Sequence, residues 1–171
     1  MNSSQLSTIL HSNMPASFIG VFPSDQLPKT VSVFPACFII NTDPASQPGS
    51  HWVAIYVDSK EFGEYFDSYG KPPDVMSIVK FLNENCRSWH YNTKRIQGSF
   101  SSVCGHYCVY FLVRRLSGTP MSVIRNEFSG ADFEENDHLV TEWVNENFEL
   151  NTDTYNVDFI ANQICRALFS K

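Results

Sequence analysis

The sequence predicts a single α+β domain over residues 1–171, built around a central mixed β-sheet with helices on both sides. Strand-forming runs are concentrated between residues 33 and 70, and helical periodicity dominates the later part of the chain. No internal repeat and no Gly/Ser-rich linker divides the chain, and its length suffices to bury about two-thirds of the unfolded surface. These observations indicate one packed core.

The first 70 residues predict a short helix followed by extended segments. The helix covers Ser4 to Leu10, and the turn-rich stretch after it is punctuated by three prolines (Pro15, Pro23 and Pro28). Val33 to Asn41 is rich in β-forming residues, and Pro35 within it indicates an edge strand or a bulge. His51 to Val57 predicts a buried strand, and Gly63 to Gly70 predicts its hairpin partner.

The rest of the chain predicts helices with one strand between them. A helix start at Pro72-Pro73-Asp74 is followed by apolar residues at helical spacing (Val75, Ile78, Val79, Leu82 and Cys86). Tyr91 to Gln97 predicts a strand, and an apolar helix from Cys104 to about Leu116 is expected at the centre of the fold. Two more helices are predicted near Asp137 and Asp158; their expected buried residues are Leu139, Val140, Trp143 and Val144, then Ile160, Ile164 and Leu168.

The overall charge and the cysteine pattern restrict the class of protein. A net charge of -6 disfavours binding to phosphate backbones, and the basic pairs are expected to be solvated surface (Lys94 with Arg95, Arg114 with Arg115). The five cysteines form no CxxC pair, the N-terminus lacks signal-peptide features, and the apolar run Tyr107 to Val113 is too short to cross a bilayer. We therefore expect an intracellular, reducing location and no membrane partner.

Two polar residues lie at one end of the predicted hairpin. His51 opens its first strand, and Asp67 lies near the end of the second strand. Because these positions lie side by side in an antiparallel hairpin, Asp67 can accept a hydrogen bond from the imidazole, fix its tautomer and stabilise its charged form. This arrangement is typical of a catalytic base with its orienting carboxylate.

Cys104 is the candidate nucleophile because it lies in the first turn of the predicted central helix. The partial positive charge of a helix N-terminus and a nearby imidazolium lower the pKa of a thiol from about 8.5 towards about 3.5–7.5. Gly105 is expected to allow close approach of substrate. Gln97, followed by Gly98 at a sharp turn, is expected to donate its side-chain amide to the oxyanion of a tetrahedral intermediate.

The order of these residues predicts more than any one of them does. A lone buried cysteine, histidine or aspartate is most commonly a satisfied structural group. A cysteine peptidase is predicted by the ordered set His51, Asp67, Gln97 and Cys104.

Four stretches of the chain resemble the adenovirus protease (adenain) family, within the clan that also holds the SUMO-deconjugating peptidases. They are FIGVFPSDQLP (18–28), ACFIINTDPASQPGSHWVAIYV (36–57), EYFDSYG (64–70) and IQGSFSSVCGHYCVYFL (96–112). The resemblance implies an adenain-like fold and cleavage of peptide bonds beside small residues, above all glycine. It also implies maturation of structural proteins of a virus or virus-like element, in the host nucleus or the virion.

The resemblance assigns a role to each candidate residue. It implies that Cys104 is the nucleophile, His51 the base, Asp67 its orienting carboxylate and Gln97 the oxyanion donor. Trp52 is similar to the tryptophan of the clan's His-Trp pair, and either shields the imidazole or packs in the core.

The activators that the resemblance implies are disfavoured by the sequence. Adenoviral members are basic and use DNA and a disulfide-linked viral peptide, whereas this chain is acidic and has no cysteine between Cys86 and Gln97. Asp67 stands where the adenoviral enzymes often carry glutamate and the deconjugases carry aspartate. The expected partner is therefore a protein or polyprotein substrate, with a viral peptide or DNA activator disfavoured.

Three other functions fit the same residues. A deconjugase for ubiquitin or a ubiquitin-like protein would use the same four residues and would also cleave after glycine. Acyl transfer would resolve a thioester at Cys104 with an amine or hydroxyl in place of water, and a non-catalytic binding domain is the third alternative. No metal or cofactor is expected, because a zinc site of Cys104, Cys108 and either His51 or His106 matches no common ligand spacing. Cys108 is expected to pack in the core.

Overall fold

The computed structural model describes residues 1–148 and confirms the α+β class, with a mixed sheet flanked by helices. The strands follow one another across the sheet in chain order: β1 (Phe18–Pro23), β2 (Ala36–Asn41), β3 (Trp52–Val57), β4 (Phe62–Phe66) and β5 (Ser88–Tyr91). The outer pairs β1–β2 and β4–β5 are parallel, and the inner pairs β2–β3 and β3–β4 are antiparallel. The helices of the described residues are α1 (Ser3–Asn13), α2 (Met76–Asn85), α3 (Cys104–Leu116), α4 (Met121–Asn126) and α5 (Phe133–Phe148).

The central strands β2 and β3 are covered on both faces, which explains why their sequences are apolar throughout. One face packs against α1, α3 and α5, and the other packs against α2. Alternate residues of each strand face opposite layers, as the pleat of a β-strand requires. Toward α3 point Cys37, Ile39, Ala54 and Tyr56; toward α2 point Phe38, Ile40, Val53 and Ile55.

The central helix α3 begins and ends at the predicted residues, Cys104 and Leu116. It is not apolar all round, because Arg114 and Arg115 lie partly exposed in its last turn. Each arginine pairs with a carboxylate: Arg114 with Glu127, and Arg115 with Glu64. These two cations therefore belong to structural ion pairs, and the favourable C-terminal position of their charges stabilises the helix.

The boundaries of two strands differ from the prediction. Pro35 does not mark an edge strand, because β2 lies between two others and begins only at Ala36. The proline therefore removes no hydrogen bond from the ladder. The predicted partner strand 63–70 ends at Phe66, because Asp67 and Gly70 close a turn through a 2.7 Å backbone hydrogen bond.

The last third of the described chain also corrects three expectations. Tyr91 to Gln97 is not a strand, since β5 ends at Tyr91. Helix α5 begins at Phe133, where the Asp132 side chain accepts the backbone N–H of Glu135 as an N-cap. Leu139, expected to be buried, is 44% exposed. The short helix α4 was not predicted, and the helix predicted near Asp158 lies outside the described residues.

Candidate active site

The hairpin brings His51 and Asp67 into contact, as predicted; their acid–base role stays a prediction. His51 immediately precedes β3 and Asp67 immediately follows β4, so the antiparallel pairing brings them to the same edge of the sheet. His51 Nε2 donates to Asp67 Oδ1 over 2.8 Å. The Asp67 side chain is only 5% exposed and that of His51 17% exposed, so the pair is largely shielded from water. The other ring nitrogen, Nδ1, is left for Cys104.

The turn after β4 fixes the carboxylate of Asp67. Asp67 Oδ1 also accepts the backbone N–H of Tyr69 at 2.8 Å, which is the hydrogen bond of an Asx-turn. The ring of Tyr69 then packs against the imidazole of His51, with 4.9 Å between ring centroids. The turn that ends the strand therefore also places both the carboxylate and an aromatic wall around His51.

Cys104 lies at the first residue of α3, with its side chain almost buried. The first-turn N–H groups of the helix have no side-chain cap, because Val103 occupies the N-cap position. The backbone N–H groups of Trp52 and Gly105 donate to the Cys104 sulfur. Both backbone donors favour the thiolate form of Cys104.

The pKa values of Cys104 and His51 shift in opposite directions. Burial opposes the charged form of Cys104, but hydrogen bonds from His51 and the two backbone donors, with the charge on His51, hold the pKa of the thiol below its ordinary value. Burial also opposes the charged form of His51, but hydrogen bonds and charges of Asp67 and Cys104 raise the pKa of the imidazole to about 9. At neutral pH the arrangement favours a thiolate–imidazolium pair.

Gln97 is fully buried beneath the loop that precedes α3. Its Nε2 donates at 3.0 Å both to the backbone carbonyl and to the hydroxyl of Ser101. The Ser68 hydroxyl donates to Gln97 Oε1 at 2.5 Å, so the two ends of the amide are unambiguously oriented. Both acceptors of this amide belong to Ser101. For Gln97 to donate to an oxyanion at Cys104, the loop 98–103 has to move so that Ser101 releases the amide. The oxyanion role of Gln97 therefore remains a prediction.

Three residues that hydrogen-bond to the site were not predicted from the sequence: Ser68, Asn92 and Asp137. Ser68 orients the amide of Gln97, and Asn92 forms hydrogen bonds with both backbone polar groups of Asp67. Asp137 accepts from the backbone N–H of Gly98 at 3.1 Å and from the hydroxyl of Tyr107 at 2.9 Å. The partners of all three lie 25 to 39 positions away in sequence, so only the Asp-Ser-Tyr turn, which contains Ser68, offered a local signal.

The glycines and Trp52 act differently from the expectation. A Cβ at Gly98 would lie 2.7 Å from Asp137 Oδ2, so this glycine permits the approach of Asp137 and its φ is not positive. The space beside Gly105 is filled by Met1, Leu6 and Trp52, so the glycine accommodates protein and not substrate. Trp52 packs against the core, which was one of its two alternatives, and it also lines the cleft; shielding of the imidazole stays a prediction.

The candidate catalytic groups His51 and Cys104 line a cleft of about 700 Å³. Its floor carries Cys104, His51 and Tyr69, and its walls come from the end of β1, the loop 43–50 and the loop residues Ser101 and Ser102. Asn41 and Asp43 add polar groups to the wall formed by the end of β2. A cleft of this size can hold an extended peptide beside the nucleophile.

Other chemistry finds less support in the described part of the chain. The cysteines within residues 1–148 are all free thiols, and Cys108 is buried in the core as predicted, with burial raising the pKa of its thiol. Residues 1–148 contain no cluster of three or more His, Cys, Asp or Glu side chains that could hold a metal ion. Within the same residues, no helix combines the length and apolar character needed to cross a bilayer.

Sequence comparison shows that this chain is similar to viral cysteine and thiol proteases. A protein of Acanthamoeba polyphaga mimivirus that carries the name thiol protease is 38% identical over 102 residues, covering 53% of this chain and 33% of that protein. The protease of bovine adenovirus 7 is 33% identical over 88 residues, covering 43% of this chain and 44% of that protein. A cysteine protease of African swine fever virus is 32% identical over 90 residues, covering 46% and 33%.

These matches confirm the resemblance to viral cysteine proteases, the adenoviral enzyme among them. The chain spans less than half the length of each of these relatives. No protein-family model matches it. The crystal structure of the African swine fever virus protease superposes with a TM-score of 0.44 at 24% identity, over 60% of this chain and 41% of that one, an overlap too limited to argue from.

Proposed function

We propose that this protein is a cysteine endopeptidase in which Cys104 is the nucleophile and His51 the acid–base catalyst. The observation that carries the proposal is the joined set of Asp67, His51 and Cys104 at the N-terminus of a buried helix, open to a cleft. The pKa shifts of the two reacting groups have the directions that an ion-pair mechanism needs. The similarity to viral proteases supports the same reaction class.

The reaction follows from the positions of the protons. The Cys104 thiolate attacks the carbonyl carbon of the scissile bond, and the negative charge moves to the carbonyl oxygen. As the tetrahedral intermediate collapses, the C–N bond breaks and His51 Nδ1 gives its proton to the leaving amine. Neutral His51 then takes a proton from water, which attacks the thioester carbon. The C–S bond breaks, the acid product leaves, and the Cys104 thiolate and the protonated His51 are restored. Asp67 keeps the ring oriented and stabilises its charge in each half of the cycle.

The finer assignment rests on the resemblance. Cleavage beside small residues, above all glycine, and maturation of viral or virus-like structural proteins are part of the proposal. So are a protein or polyprotein substrate and a location in the host nucleus or the virion. The acidic charge and the ion pairs of Arg114 and Arg115 disfavour DNA as an activator.

The proposal is tested with internally quenched peptides that present Gly-Gly before the scissile bond. Wild-type protein should cleave members of this panel, and Cys104→Ala should lose turnover while keeping its circular dichroism spectrum and melting temperature. Cys108→Ala is the matched control, because Cys108 lies one helical turn further on and packs in the core. It should retain turnover. Cleavage by Cys104→Ala, or none by the wild type, would contradict the proposal.

A second experiment on the wild-type protein distinguishes an endopeptidase from a deconjugase. A ubiquitin-like protein with a C-terminal glycine aldehyde should label a deconjugase at Cys104. Labelling without cleavage of any free peptide would favour deconjugation over the endopeptidase that we propose.

A further inference from the structure

Asn92 is a buried polar residue that bonds to the main chain of Asp67 and takes no part in the side-chain contact between Asp67 and His51. It follows β5 directly and is completely buried. Its Oδ1 accepts the backbone N–H of Asp67 at 2.8 Å, and its Nδ2 donates to the backbone carbonyl of Asp67 at 2.7 Å. Because a backbone N–H can only donate and a carbonyl can only accept, the orientation of the Asn92 amide is fixed by its partners.

The Asn92 side chain supplies the hydrogen bonds that β5 no longer provides just after the C-terminal end of β4. The parallel pairing of β4 with β5 ends at Tyr65 and Tyr91, and the backbone N–H of Asn92 still donates to the carbonyl of Tyr65 at 3.3 Å. Beyond that point the backbone of β5 turns away, and the amide of Asn92 takes over both ladder positions opposite Asp67. The backbone N–H and carbonyl of Asp67 are therefore both hydrogen-bonded, as they would be inside the sheet, although Asp67 lies in a turn.

A fixed backbone at Asp67 matters because its carboxylate has two partners that must be met at once. Oδ1 lies 2.8 Å from His51 Nε2 and 2.8 Å from the backbone N–H of Tyr69. A side-chain amide carries both a donor and an acceptor on one planar group, so it can bond the N–H and the carbonyl of the same residue. A carboxylate cannot donate, and an aliphatic side chain can neither donate nor accept. Loss of Asn92 would leave the backbone N–H of Asp67 without the partner seen here, whereas the carbonyl would keep the Gly70 N–H alone.

We propose that Asn92 is a positioning residue of the active site, which clamps the main chain of Asp67 so that its carboxylate meets His51 and maintains the charged His51–Cys104 pair. The chemical meaning of this role rests on the function proposed above. The other charged or titratable groups around the pair are Tyr69 on the His51 ring, with Arg95 and Asp137 behind it. Asn92 forms no hydrogen bond with these side chains in the described part of the chain; besides its two hydrogen bonds with Asp67, its Nδ2 donates to the backbone carbonyl of Lys94 at 3.2 Å.

The test follows the reactivity of Cys104 and needs no substrate. The second-order rate of alkylation by iodoacetamide is measured from pH 5 to pH 10 by mass spectrometry of the peptide that carries Cys104. Asn92→Ala removes all three side-chain hydrogen bonds, two with Asp67 and one with the carbonyl of Lys94. Asn92→Asp keeps the size and the acceptor but loses the donor. Asn85→Ala is the matched control, because Asn85 also clamps backbone groups, those of Val31 and Phe81, away from the site.

We expect wild type and Asn85→Ala to share an alkylation profile that extends well below the pKa of a free thiol. Asn92→Ala should move its midpoint upward by about one pH unit and slow alkylation by about tenfold at pH values below the wild-type midpoint. Asn92→Asp should move it in the same direction. A folded Asn92 variant with the wild-type profile would overturn the proposal, and so would failure of both variants to fold, because Asn92 would then serve the fold and not the site.

The outcome also distinguishes this inference from the proposed function. If the wild-type protein itself alkylates like an ordinary thiol, with a midpoint near pH 8.5, the peptidase proposal fails. If the wild-type profile is shifted but the folded Asn92 variants match it, only the positioning role fails.

Discussion

Replacing Asp67 by asparagine removes a charge from the acid–base pair while keeping the size and shape of the side chain. The carboxylate now lies 2.8 Å from His51 Nε2 in a site that is largely closed to water. Asparagine Oδ1 can still accept the ring N–H, so the imidazole should keep its orientation. The substitution therefore isolates the electrostatic contribution of Asp67 to the charge on His51.

The size of the effect follows from the pKa of His51. A rise from 6.5 to about 9 corresponds to ~3 kcal/mol of added preference for the charged ring, achieved against the cost of burial. Asp67 and Cys104 share this contribution, and the hydrogen bond with Asp67 is the largest of the favourable effects. A neutral amide accepts a weaker hydrogen bond than a carboxylate, so the charge of Asp67 acts through the hydrogen bond as well as through direct attraction. We assign ~2 kcal/mol to these two effects together, so the pKa of His51 should fall by about 1.5 pH units in Asp67→Asn.

Two measurements check this expectation. Titration of the His51 ring by NMR reports its pKa directly, and the pH dependence of kcat/KM reports the group in the free enzyme. Above its pKa, His51 lacks the proton that the leaving amine must receive, so wild-type activity should fall as the pH rises through about 9. In Asp67→Asn this fall should begin about 1.5 pH units lower, so kcat/KM near pH 9 should drop by about 10- to 30-fold while the loss at neutral pH stays small.

The control is Asp43→Asn, which removes another carboxylate from the wall of the same cleft. It should leave the titration of His51 within about 0.3 pH units of the wild type, because Asp43 forms no side-chain hydrogen bond with the ring in the described structure. A His51 that still titrates near 9 in Asp67→Asn would refute the assignment of the charge effect to Asp67.

Two further predictions concern the oxyanion donor and the core. Gln97→Ala should lower kcat by about 10²–10³ without changing the alkylation rate of Cys104, because the amide acts only on the intermediate; an unchanged kcat would remove Gln97 from the mechanism. Phe111→Ala should cost ~3–5 kcal/mol of unfolding free energy in urea denaturation, since Phe111 is completely buried and stacks on Phe66 at 4.4 Å between ring centroids. Phe100→Ala is its control, because Phe100 is fully exposed, and it should change stability by less than about 0.5 kcal/mol. Similar losses for both phenylalanines would contradict the packing described here.

The sequence predicted the helix that carries the nucleophile and the hairpin that joins its two partners. Helix α3 begins at Cys104 as expected, because the polar loop before it and the apolar residues after it are local signals. The positions of His51 and Asp67 followed from the same kind of reasoning, since an antiparallel pair fixes which strand ends meet. Where the local signal was ambiguous the prediction was wrong, as for the strand expected over residues 91–97.

The supporting groups were decided only by the tertiary structure. Asn92 meets Asp67 across 25 positions of sequence, and Asp137 meets Gly98 across 39. Even Gln97, which was expected to point toward the nucleophile, directs its amide to Ser101.

The physical reason is the range of the interactions. Hydrophobic periodicity and turn chemistry act over a few residues, so the sequence by itself determined the three central strands, the central helix and the order of the candidate catalytic groups. A buried hydrogen-bond donor takes whichever acceptor the packed chain brings within about 3 Å, and that choice depends on distant segments. Which side chains hold Asp67, Gln97 and the loop before Cys104 in place was therefore settled only when the sheet and its helices came together.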